Sequence, residues 1–189
     1  RSEKATELIN NSHKVIIIQA ENPDGDSLGS ALALEEILSK LGKEVILYCP
    51  VDIPKYMHYI KGWDRVDRYF DTSADLAIIV DTAADVLLTK VLESPGVRQY
   101  LESNPTLVID HHLTDSNLSF DHQMLGEDCV ATAEIIYNLC VKNNWTISPQ
   151  AAENMMIAIM SDSLGLTSQN VTPTTYFNIG KLAEIGANN

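Results

Sequence analysis

The apolar positions of this chain follow two alternating periods. Continuous runs rich in β-branched residues at 15–19, 44–49, 76–81 and 106–110 predict buried strands. Elsewhere apolar residues recur at spacings of three and four, which predicts helices. The clearest is 27–41, where Leu28, Leu32, Leu34, Ile37, Leu38 and Leu41 repeat at helical spacing and Gly42 supplies the stop. A short helix is predicted at 54–60, and a helical stretch at 84–101 is broken at Pro95-Gly96. A short segment at 118–120 precedes three further predicted helices at 131–143, 149–160 and Pro173–Ile185. Strands alternating with helices predict an α/β fold, with a mainly parallel sheet flanked by helices.

Composition narrows this picture. At 189 residues and 45% hydrophobic, the chain can bury one real core, and the expected organisation is a single domain over 1–189. No apolar run approaches the roughly 18 residues of a membrane span. Net charge is −13, from 13 Lys+Arg against 26 Asp+Glu, which disfavours a duplex-DNA surface. Carboxylates that hold cations also count as negative, so a nucleotide or short RNA ligand stays compatible with that charge. Cys49, Cys129 and Cys140 are odd in number, lack metal-ligand spacing and lie in apolar stretches, which suggests buried thiols in a reducing cytoplasm. The start at Arg1 and the stop just after an amphipathic segment suggest a fragment of a longer protein.

The candidate chemistry sits at the strand ends. In open α/β sheets, ligands bind outside the carboxyl ends of parallel strands. Asp24 and Asp26 follow the first predicted strand, Asp81 closes the third, and Asp110-His111-His112 closes the fourth. Asp162 follows an apolar helical run. Asp24-Gly25-Asp26 alone reads equally as a turn or helix cap. A carboxylate ending a buried strand, by contrast, must be paired, hydrogen-bonded or metal-bound. Oxygen donors with imidazole fit a two-metal Mn²⁺ or Mg²⁺ site, in which cations about 3.5–4 Å apart activate water against a phosphoryl group. Asp110 is expected to orient a histidine.

These residues resemble the DHH phosphoesterases. The likeness rests on residues 22–30 (Asn-Pro-Asp-Gly-Asp-Ser-Leu-Gly-Ser), Asp81-Thr82-Ala83, Asp110-His111-His112 and Ser161-Asp162-Ser163, and continues at 131–137 and 182–187. The branch most similar is that of the bifunctional oligoribonucleases and pAp phosphatases. The resemblance implies Asp24 as a ligand of one manganese, Asp26 of the other, and Asp81 as the bridge. It further implies His111 and Asp162 as ligands of the second metal and His112 as the residue facing the substrate phosphate. One position departs: the family's metal-binding histidine falls at Ala20, with Glu21 one residue off register. The first metal site is therefore expected to be short of a ligand. A smaller C-terminal domain that carries substrate contacts is implied as a partner within the same chain, and is expected to be absent from these 189 residues.

The expected function is hydrolysis of short oligoribonucleotides or small nucleotide phosphates by metal-activated water. An inorganic pyrophosphatase or cyclic-dinucleotide phosphodiesterase on the same scaffold is the alternative within enzymes. A catalytically weakened nucleotide-binding domain is the alternative outside them, motivated by Ala20. Oligomeric state, a homodimer included, stays open. His13, His58, His122, Trp63 and Trp145 are expected to serve packing or the surface.

Overall fold

The computed structural model describes residues 1–112 and 114–187. The elements are α1 (Ser2–Asn10), β1 (Lys14–Ile18), α2 (Gly25–Lys40), β2 (Glu44–Tyr48), β3 (Leu76–Val80), α3 (Thr89–Glu93), α4 (Val97–Ser103), β4 (Thr106–Asp110), β5 (Gln123–Gly126), α5 (Thr132–Asn143), α6 (Pro149–Asp162) and α7 (Pro173–Ile185). The five strands form one sheet in the order β2-β1-β3-β4-β5, and every neighbouring pair is parallel.

Side-chain alternation splits the sheet's residues between two cores. Val15, Ile17, Ile78, Val80, Leu107 and Ile109 pack with α1, α2, α5 and α6 on one face. Ile16, Ile18, Ala77, Ile79 and Val108 pack with Leu88, Val91, Val97 and Tyr100 on the other. A strand covered on both faces needs no polar alternation, which is why these runs read as continuously apolar. Because β1 has β2 on one side and β3 on the other, a crevice opens at the carboxyl ends of β1 and β3.

Several expectations change in detail. Residues 54–60 form only a 3-10 turn at Lys55–Met57, and 118–120 forms no regular element. The fifth strand instead follows at Gln123–Gly126 and pairs with β4. Helix α6 runs on through Asp162, so that residue belongs to its last turn. Among the described residues, no helix is long and apolar enough to cross a membrane.

Helices α2 and α6 approach closely because glycine lines the contact. A Cβ at Gly29 would lie 2.5 Å from the Asn154 carbonyl oxygen and 3.0 Å from the Ala158 Cβ, and one at Gly25 would collide with Ser161. Gly29→Ala therefore sets a helix-propensity gain of about 1 kcal/mol against overpacking of about 1–3 kcal/mol on an unyielding backbone. Net destabilisation in urea unfolding is the expected result; a variant as stable as the parent would contradict the close approach.

Candidate metal centre

The crevice gathers acids from four separate segments. Asp24 caps α2: its Oδ1 accepts the Ser27 N–H at 2.8 Å while the Ser27 hydroxyl accepts the Asp24 N–H at 3.0 Å. This cap and the metal reading are compatible, since one carboxylate oxygen stays free. Asp26, one residue into the helix, is fully buried. Its Oδ1 accepts the Ser30 hydroxyl at 2.9 Å and the Ala133 N–H at 3.3 Å, and its Oδ2 accepts the Thr132 N–H at 2.8 Å. The amides at the start of α5, which have no acceptor within the helix, thus find one in Asp26.

Asp81 leaves β3 with φ at 70°, a left-handed conformation disfavoured for any residue bearing a Cβ. Its N–H is held by the Ile109 carbonyl at 2.9 Å, and its Oδ1 accepts the Thr132 hydroxyl at 3.0 Å. At the end of β4, Asp110 turns inward and accepts from His112, whose Nδ1 lies 2.5 Å from Asp110 Oδ1.

His111 is the centre's decisive group. Its Nδ1 lies 3.1 Å from the Cys129 carbonyl, which can only accept, so Nδ1 carries a hydrogen and Nε2 is the nitrogen left to face a cation. Nε2 stands 3.0 Å from Asp162 Oδ2, 3.5 Å from Asp81 Oδ1 and 3.6 Å from Asp26 Oδ2. It is buried and has no partner in hydrogen-bond geometry. Donor atoms of Asp26, Asp81, His111 and Asp162 all lie within 4.8 Å of one another, as do those of Asp81, His111 and His112. Three carboxylates and an unpartnered imidazole nitrogen converging on one point fit a divalent cation of the Mn²⁺ or Mg²⁺ class.

The titration behaviour expresses the same crowding. Burial, then the Asp81 and Asp162 charges, drives Asp26 well above the usual carboxylate range. Burial and Asp81 push Asp24 up to about 6. For His111, burial opposes the charged form, but Asp162, Asp81 and Asp26 outweigh it and push the ring up to about 11. His112 is raised chiefly by Asp110.

Asp24 lies outside the four-donor group. Ala20 offers no donor, and Glu21 lies outside both donor groups, its Oε1 accepting the Lys90 N–H at 3.1 Å at the start of α3. Sequence reasoning missed the groups that hold the acids and His111: the Ser30 hydroxyl, Thr132, the Ala133 amide and the Cys129 carbonyl. Ser30, Thr132 and Ala133 fall inside the motifs given above, but nothing in the sequence marks a backbone amide or carbonyl.

The other candidates take structural places. His58 stacks on Trp63 with ring centroids 3.4 Å apart, and both His122 nitrogens are engaged, by Ser116 and the Phe120 carbonyl. His13 is exposed and Trp145 packs on the larger core. The three cysteines are free, and burial pushes Cys49 up to about 11 and Cys129 and Cys140 up to about 12.

An open parallel α/β sheet with a carboxylate–imidazole centre at its strand ends defines the class of protein. Within that class, this chain belongs to the DHH family: residues 14–159 match the family's N-terminal domain. It is 24% identical over 179 residues to the "Bifunctional oligoribonuclease and PAP phosphatase NrnA" of Mycoplasma pneumoniae, covering 92% of this chain and 53% of that one. It is 27% identical over 180 residues to the "Probable manganese-dependent inorganic pyrophosphatase" of Enterococcus faecalis, covering 91% and 55%. The crystal structure of an exopolyphosphatase-related protein from Bacteroides fragilis superposes with a TM-score of 0.83 at 25% identity, over 99% of this chain and 57% of that one. The chain thus spans about half the length of the curated relatives it matches.

Proposed function

We propose that this chain carries the metal-centre half of a phosphoesterase that hydrolyses short oligoribonucleotides or small nucleotide phosphates of the pAp kind. The observation that carries the reading is the buried His111 Nε2, unpartnered and faced by Asp26, Asp81 and Asp162. Asp26, Asp81, His111 and Asp162 would hold the better-liganded cation, and Asp24 with Asp81 the weaker one. A divalent cation, Mn²⁺ in this reading, supplies Lewis-acid activation of water and charge neutralisation at phosphorus.

The chain's own residues do the rest. Asp110 fixes the ring of His112 and raises its pKa, so that the half-exposed imidazolium can donate to a phosphate oxygen. Water would add to phosphorus as the P–O ester bond breaks, and the departing alkoxide would take up the proton that the attacking water gives up. Among the described residues, no lysine or arginine pairs with the acids of the centre; their ion-pair partners are histidines. With relatives about twice as long, this supports substrate contacts supplied by a further C-terminal domain. The free thiols, two of them buried, suit a reducing cytoplasm.

The test is turnover by the full-length protein with Mn²⁺ on di- to pentaribonucleotides, pAp and pyrophosphate. Hydrolysis of the nucleotides is expected. The 189-residue chain alone should fall far below it, because positioning supplies roughly 7–11 kcal/mol of barrier reduction. Turnover confined to pyrophosphate would replace this reading with the one suggested by the pyrophosphatase relatives. Binding without turnover would replace it with a regulatory domain.

A further inference from the structure

Thr132 donates to two different carboxylates of the centre. Its backbone N–H reaches Asp26 Oδ2 at 2.8 Å, and its hydroxyl reaches Asp81 Oδ1 at 3.0 Å. The residue is fully buried, so water cannot substitute for either donor. At a helix start, a threonine hydroxyl ordinarily turns back onto its own helix. Here Ala131 is the N-cap without a side-chain cap, and the first amides of α5 go to Asp26, so the hydroxyl of Thr132 is left for Asp81.

Asp81 has reason to need such a hold. Its backbone sits in the left-handed region, where a residue with a Cβ persists only when its surroundings fix it.

We infer that Thr132 is a positioning residue: its hydroxyl sets the Asp81 carboxylate and its amide sets that of Asp26 at the spacing a cation requires. This rests on the metal-centre reading proposed above. An ordered carboxylate has already lost the rotamer freedom that binding would otherwise remove, so the hydroxyl acts on affinity without touching the ion.

Valine has nearly the shape of threonine and keeps the amide, so Thr132→Val removes only the donor to Asp81. The experiment measures Mn²⁺ affinity by calorimetry and by metal-induced melting shift, with melting in chelator as the fold control. Thr132→Val is expected to bind Mn²⁺ about 10–100-fold more weakly, while Thr132→Ser, which keeps the hydroxyl, stays within about threefold of the parent. Unchanged affinity in Thr132→Val, whatever its melting temperature in chelator, overturns the inference and leaves the metal centre standing. Serine as weak as valine overturns it too, since the hydroxyl would then not be the cause. Should the valine variant fail to fold, Thr132→Ala removes the same hydroxyl and carries the same expectation. A parent protein that binds no Mn²⁺ sinks the metal reading itself, and the inference with it.

Discussion

Asp81→Asn should remove most of the stabilisation that metal confers. In the metal-free state the Asp81 charge acts in both directions, raising the pKa values of Asp24 and Asp26 as a like charge and that of His111 as an opposite one, so its loss is not expected to lift the melting temperature in chelator. Asparagine deletes that charge, keeps an oxygen for the Thr132 hydroxyl and has nearly the same shape. With cations present the effect has one sign, because Asp81 belongs to both groups of candidate ligands whereas Asp26 and Asp162 belong to one. A ligand binding only the native state adds about 2.7 kcal/mol at 100 times its dissociation constant; a loss of about 100-fold in affinity reduces that to a few tenths. Asp24→Asn should cost less, since Asp24 lies outside both groups. Melting and Mn²⁺ titration of the three proteins decide it. Parent-like stoichiometry and affinity in Asp81→Asn would dismiss the shared-ligand role.

What the sequence discloses and what it withholds divide along physical lines. Strands β1, β3 and β4 are legible because each is covered on both faces and must be apolar throughout. Strand β5 is not, because it is a four-residue edge strand, Gln-Met-Leu-Gly, with only Leu125 buried. Helix α1 escapes notice for a related reason: it buries only Ala5 and Ile9 beneath an otherwise polar surface. In the centre, the acids and histidines are visible because burial of such groups is costly enough to announce a purpose. The groups that aim them are ordinary. The Cys129 carbonyl and the Ala133 amide exist at every position of any chain, and only the fold brings them to His111 and Asp26. Glu21 shows the converse. One residue out of register, it could read as a substitute ligand; in the fold it lies outside both donor groups, and its Oε1 accepts the Lys90 amide.

Raising the pH should strengthen metal binding steeply and enlarge the stability the metal confers. Three groups of the centre hold protons more tightly than usual in the metal-free fold: Asp24 to about 6, His111 to about 11, and Asp26 in the same upward direction. A cation must displace those protons, so apparent affinity rises about tenfold per pH unit for each one displaced. Between pH 6 and 8 the His111 proton alone gives about 100-fold; below pH 6 the Asp24 proton joins it and the slope steepens. The metal-free fold moves the opposite way. His111, raised from 6.5, contributes stability that is fully present below pH 6.5 and is lost on the way to about 11. Asp24, raised from 3.8, costs stability progressively as pH climbs from 3.8 through about 6, because the unfolded chain releases its proton first. Both signs weaken the chelated protein as pH rises, while the cation takes the place of the lost protons. Scanning calorimetry with chelator and with saturating Mn²⁺ should therefore give a larger gap in melting temperature at pH 8 than at pH 5.5. Equal gaps would mean that the cation binds without displacing protons from His111 and Asp24, and so does not occupy the space these side chains enclose.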